Sequence, residues 1–168
     1  MKRILILILL ISTLSSFGQD RKHAIGFRGG STWGFTYDYL HNETSGFGAV
    51  MSFREKGVQL TGIIKLYRPA FERATDSFWW YFGAGGHVGY HKWEEYHSVI
   101  RGSYTYFIEV TRYAPVMGLD GVFGLEFRMD LLPITISLDV MPYFELFGKN
   151  FYKLNPFNIG FGIKYAFN

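Results

Sequence analysis

Residues 157–167, FNIGFGIKYAF, constrain the fold more than any other stretch. Phe157, Ile159, Phe161, Ile163, Tyr165 and Phe167 alternate with Asn158, Gly160, Gly162, Lys164 and Ala166. A strand sends successive side chains to opposite faces, so the segment has one large apolar face and one small or polar face. A helix would scatter the same residues around its circumference. Ten steps at ~3.3 Å, tilted by ~40°, give a height of about 25 Å, the apolar band expected of a transmembrane β-barrel.

The N-terminus bears on where such a chain goes. Met1-Lys2-Arg3 precedes an uncharged apolar run over 4–11, and small residues stand at Ser16 and Gly18. This is the pattern of a cleavable signal peptide, with cleavage expected near Gly18 or Gln19. The run is too short to span a bilayer. Two parts are therefore expected: 1–18 as signal peptide and 19–168 as an outer-membrane β-barrel domain. Cleavage would remove Lys2 and Arg3 from the 17 basic residues, leaving 15 against 14 acidic ones. A near-neutral product gives no reason to expect a nucleic-acid partner. There is no Cys, hence no disulfide framework, thiolate metal site or lipidated Cys. No later apolar run reaches the ~20 residues of a membrane helix.

The same alternation recurs along the chain. Strands are expected over 23–30, 33–40, 47–54, 58–67, 78–91, 116–128, 134–145 and 157–167, with Pro142 ending a span or marking a bulge. Residues 29–32, 41–46, 55–57, 68–77, 92–115, 129–133 and 148–156 are read as connections. Within 92–115, residues 103–111 have strand propensity and would extend a hairpin beyond the membrane. Eight strands joined as hairpins form an all-β, antiparallel, up-and-down barrel. With both termini in the periplasm, the longest connection, 92–115, falls outside, as expected of such barrels. The 68–77 connection is long for a periplasmic turn.

A soluble eight-stranded barrel of the lipocalin type also alternates, but points its large apolar side chains inward. The minor faces decide for lipid. They are rich in Gly, Ala, Ser and Thr, and carry Arg28, Arg54, Lys65, Arg128 and Lys164 against Asp38, Asp120, Glu126, Asp139 and Glu145. A soluble surface would show more Lys and Glu and fewer Gly. A narrow lumen takes small residues and paired charges, because an unmatched buried charge costs several kcal/mol. Trp80 and Tyr90, and likewise Phe157 and Phe167, lie ten steps apart on the apolar face, where an aromatic girdle is expected.

Over residues 23–167 this pattern of strands resembles the small eight-stranded outer-membrane proteins of the OmpX and OmpA-transmembrane-domain type. The sharpest local match is Gly162-Ile163-Lys164-Tyr165-Ala166-Phe167, similar to the C-terminal assembly signal in its Gly162, Tyr165 and Phe167. In that family the last aromatic usually ends the chain, whereas Asn168 follows here. The resemblance implies residence in the cell outer membrane among its lipids. It also implies handling by periplasmic chaperones and the barrel-assembly machinery.

Candidate chemistry is sparse. His87 and His91 share a strand face and could meet Glu94 or Glu95 around a metal, but residues four apart in a strand lie ~13 Å apart, too far for one ion. No metal or other cofactor is expected. An embedded lipid-modifying enzyme would use rim residues such as His91, His97 and Ser98, yet no Gly-x-Ser-x-Gly is present and no carboxylate is placed to orient the His. Glu126 and Lys164 fall near the periplasmic end, with Arg28, Arg54, Asp120 and Asp139 in the upper half. Together the charges read as a salt-bridged plug, with a narrow pore as the alternative. Trp93, Tyr96, Tyr104, Tyr106, Phe107 and Tyr113 make 92–115 a candidate surface for an extracellular ligand. The expected function is a non-enzymatic structural or surface-interaction role.

Overall fold

The computed structural model describes residues 21–54, 57–71, 75–101, 104–147 and 152–168. The expected signal segment, 1–18, lies outside them. Everything regular is antiparallel strand: β1 (His23–Gly30), β2 (Trp33–Asn42), β3 (Ser45–Arg54), β4 (Gly57–Phe71), β5 (Thr75–Arg101), β6 (Tyr104–Arg128), β7 (Ile134–Val140), β8 (Tyr143–Phe147), β9 (Tyr152–Asn155) and β10 (Ile159–Phe167). β1 to β6 pair in sequence order, β6 pairs with β7 and β8, and β10 returns from β7 to β1. β7 with β8, and β9 with β10, each occupy one position, so eight strand positions close into a ring.

Both splits occur at prolines, which cannot donate to a ladder. Pro142 lies between β7 and β8, where its carbonyl still accepts from Gly121 N at 2.8 Å. Pro156 lies between β9 and β10, and Phe157 N donates to the Asn155 side chain at 3.1 Å instead of to a neighbouring strand. The last strand therefore begins at Ile159 rather than 157, and Phe157 stands outside it.

Three expected connections are corrected. The 68–77 loop is mostly strand, since Pro69 pairs with Trp79 and Phe71 with Thr75. A register shift between Pro69 and Phe71 accommodates the proline, and 72–74 lie outside the described residues. Residues 92–101 and 104–115 are also strand, so the hairpin strand expected over 103–111 is seen from Tyr104 onward as part of a longer one. β5 and β6 stay paired from Phe78↔Phe127 to Arg101↔Tyr104, whereas β4 last meets β5 at Val58↔Tyr90. A two-stranded hairpin therefore runs on past the ring. Of the expected connection 148–156, residues 152–155 form β9, and 148–151 lie outside the described residues.

The turn chemistry is local. Gly30 has φ 148°, where the chain turns into β2. Between β2 and β3 the Asn42 carboxamide oxygen accepts from Thr44 N at 3.0 Å and from the Ser45 hydroxyl at 2.9 Å.

Side-chain faces follow the parity of the sequence. On β4, Leu60, Ile64 and Leu66 are exposed while Gln59, Thr61, Ile63, Lys65 and Tyr67 are buried. On β10, Ile159, Phe161 and Ile163 are exposed while Gly160, Gly162 and Lys164 are buried. Ile64 is 67% exposed and Leu119 68%. Charges fill the inside and hydrocarbon covers the outside, the inverse of a water-soluble core. The only apolar cluster of the described interior is Ile63, Tyr67, Tyr81, Val122 and Met141, with Leu40 and Trp79 against it.

Candidate functional site

The interior charges form three groups. Nearest the termini, Lys164 Nζ donates to Asp38 Oδ2 at 2.8 Å and to Glu126 Oε2 at 2.6 Å. Lys65 Nζ donates to the other Asp38 oxygen at 2.6 Å, and Arg128 Nε donates to Glu126 Oε1 at 2.8 Å. The Arg128 guanidinium lies 5.0 Å from the centroid of Tyr67 and 4.7 Å from that of Trp79. Cation–π attraction to both rings favours the guanidinium at this place.

The second group is Arg28 with Asp139. Arg28 Nε and Nη2 donate to Asp139 Oδ1 at 2.9 and 2.6 Å, and Tyr81 Oη donates to Asp139 Oδ2 at 2.9 Å. Arg28 also donates to the Asn158 carbonyl at 3.0 Å. Glycine makes room for these pairs. A Cβ at Gly160 would lie 2.2 Å from Arg28 Cζ, and one at Gly48 would lie 2.7 Å from Asp38 Oδ1. The small residues of the inner face are thus the space the ions occupy.

The third group lies toward the projecting hairpin. Arg54 pairs with Glu145, and its guanidinium sits 4.2 Å over the Tyr143 ring. His87 Nδ1 donates to Asp120 Oδ2 at 2.6 Å. His87 Nε2 and His91 Nδ1 stand 3.7 and 3.6 Å from the Glu145 oxygens. No side chain is more enclosed than that of His87, at 0% exposure.

All ten charges named from the sequence lie on the inner face, and eight are buried outright, with Arg54 and Arg128 half-buried. Five cations against five carboxylates balance over these ten residues but not within each group. The first group has three cations for two carboxylates. The third has Arg54 for Asp120 and Glu145, and His87 fills the place of a partner to Asp120. That role escaped the sequence reading, in which His87 was compared with His91, Glu94 and Glu95. The register Gly85↔Asp120 and His87↔Gly118 was the missing information. Among the described residues, no group of three or more His, Cys, Asp or Glu could hold a metal ion. The side chains of His97 and Ser98 lie outside the described residues.

The apolar cluster was legible by parity: Ile63, Tyr67, Tyr81 and Val122 are inward, and Met141 continues the inward series of Thr135, Ser137 and Asp139 just past the end of β7. Of the girdle residues, Trp80 stacks on Phe123 at 5.3 Å, Tyr90 faces outward between Val58 and Pro115, and Phe157 is exposed. Phe167 stacks on His23 at 5.6 Å and on Tyr165 at 6.4 Å, and Gly162 pairs with Arg28 and Ser137.

No protein-family model matches the sequence, and a search of curated proteins finds no match.

Proposed function

We propose that the chain is an outer-membrane protein: an eight-stranded up-and-down transmembrane β-barrel, exported by a signal peptide, that performs no chemistry. It serves as a structural element or carries a surface-interaction hairpin. The observation behind this reading is the inversion of faces. Ile25, Phe27, Phe35, Leu60, Ile64, Leu119, Phe161 and Ile163 are exposed, while Arg28, Asp38, Lys65, Asp139 and Lys164 are buried. Contiguous apolar surface of this extent is untenable in water and ordinary in lipid. Trp80 and Tyr90, ten residues apart on the outer face of β5, suit the two interfaces of an apolar band.

A plug is favoured over a pore by the ion pairs and by the small size of two spaces inside the ring. The cavities beside Arg28 and beside Arg128 have volumes of about 20 and 40 Å³. Such spaces hold roughly one to three waters each. An embedded enzyme of the kind considered would work through rim residues such as His91, and the burial of His91 speaks against that role. The hairpin beyond Tyr90 and Pro115 is the proposed contact for an extracellular ligand. Lipids surround the wall, and chaperones and the assembly machinery act during biogenesis, with Gly162, Tyr165 and Phe167 as the proposed assembly signal.

Planar-bilayer recording of the purified, folded protein tests the plug. No sustained ion conductance is expected. Steady single-channel currents altered by charge reversal at Glu126 would establish the pore instead.

A further inference from the structure

The surplus of positive charge at the terminal end of the ring coincides with a cavity. Its volume is about 40 Å³, and its wall includes Arg21, Asp38, Tyr67, Glu126, Arg128 and Lys164. Asp38 and Glu126 are already shared among Lys65, Lys164 and Arg128. Arg21 adds a fourth cation at the edge, held by the Met129 and Leu132 carbonyls at 2.5 and 3.3 Å. Arg128 Nη2 is buried and has no hydrogen-bond partner within the protein. Its Cζ lies 5.0 Å from the Tyr67 ring centroid and 4.7 Å from that of Trp79, contacts that favour the guanidinium where it is.

A buried N–H donor needs an acceptor, and three cations sharing two carboxylates leave one positive charge in excess among the described residues of this group. Water supplies the acceptor alone. A small anion supplies both acceptor and opposite charge and fits the space. We propose that this cavity is a binding site for a monovalent inorganic anion of halide size, held by Arg128 Nη2 with Lys164 and Arg21 as the surrounding charge. The site goes beyond the membrane reading and does not depend on it, since it requires only the ring interior.

Crystals of the full chain grown with bromide in place of chloride give the direct test. An anomalous peak in the cavity within hydrogen-bonding distance of Arg128 Nη2 is expected. A cavity holding only water, with bromide elsewhere or absent, would overturn the site. In solution, thermal unfolding is followed by circular dichroism in chloride and in gluconate at equal ionic strength. Gluconate is too large for the cavity, so chloride is expected to raise the midpoint by about 2–4 °C. The rise should vanish in Arg128→Gln. Equal midpoints in the two salts, or an unchanged chloride response in Arg128→Gln, would count against the site. Should Arg128→Gln fail to fold, the bromide peak and the wild-type salt comparison still decide.

Discussion

Asp139→Leu is expected to destabilise the folded protein by about 3–5 kcal/mol, the cost of removing one partner from a buried ion pair. Among the described residues Asp139 is the only carboxylate bonded to Arg28, and the two side chains are 7% and 4% exposed. Without it the guanidinium keeps the Asn158 carbonyl and longer contacts to Thr32 and Asn158 Oδ1, all uncharged. Water in the cavity of about 20 Å³ beside Arg28 and Asp139 can accept a hydrogen bond but carries no opposite charge. Adding Arg28→Met should restore most of the loss, since replacing both partners by apolar groups is far milder than orphaning one. A remainder should persist, because the Tyr81 hydroxyl also loses its acceptor. Urea titration of the single and double variants measures the coupling directly. Near-additive losses would show that Arg28 and Asp139 do not act as a pair.

Leu119→Arg and Ile64→Arg carry the second large effect. Each sits level with the middle of the Trp80-to-Tyr90 span. Leu119 pairs with Gly86, and Ile64 with Ala84. In a bilayer, Arg at the midplane costs about 2–4 kcal/mol. In water the same exposed substitutions would fall within about 0.5 kcal/mol of neutral. Leu131→Arg is the control. Leu131 is 96% exposed in the turn between β6 and β7, outside the proposed band, and its replacement should cost roughly 0–1 kcal/mol. Refolding into bilayers, followed by unfolding titration, separates the cases. Equal, small effects at all three positions would remove the argument for lipid.

The faces were legible from sequence because a strand's two-residue period assigns them without any knowledge of neighbours. Gln59, Thr61, Ile63 and Lys65 are inside for that reason alone. Strand ends were less legible. Pro69 and the charged residues near it read as a loop, yet a register shift lets the proline stay in the ladder. Lys92-Trp93-Glu94-Glu95 read as a connection because it is polar. A strand beyond the ring needs no apolar outer face, so polarity there says nothing against pairing. Partners across the interior were not legible. Asp120 could be placed inside, but its bond to His87 depends on the register between β5 and β6. The same holds for Lys164, whose two carboxylates come from β2 and β6.

Spin-label accessibility tests most directly whether the hydrocarbon face meets lipid. The chain has no Cys, so single Cys substitutions at Ile64, Leu119, Phe161 and Leu131 can each be labelled uniquely. In reconstituted bilayers, labels at Ile64, Leu119 and Phe161 should be relaxed strongly by oxygen and weakly by a water-soluble nickel chelate. The label at Leu131 should show the reverse. Strong relaxation by the nickel chelate at Ile64, Leu119 and Phe161 would mean that this face looks into water, and the membrane reading would fall with it.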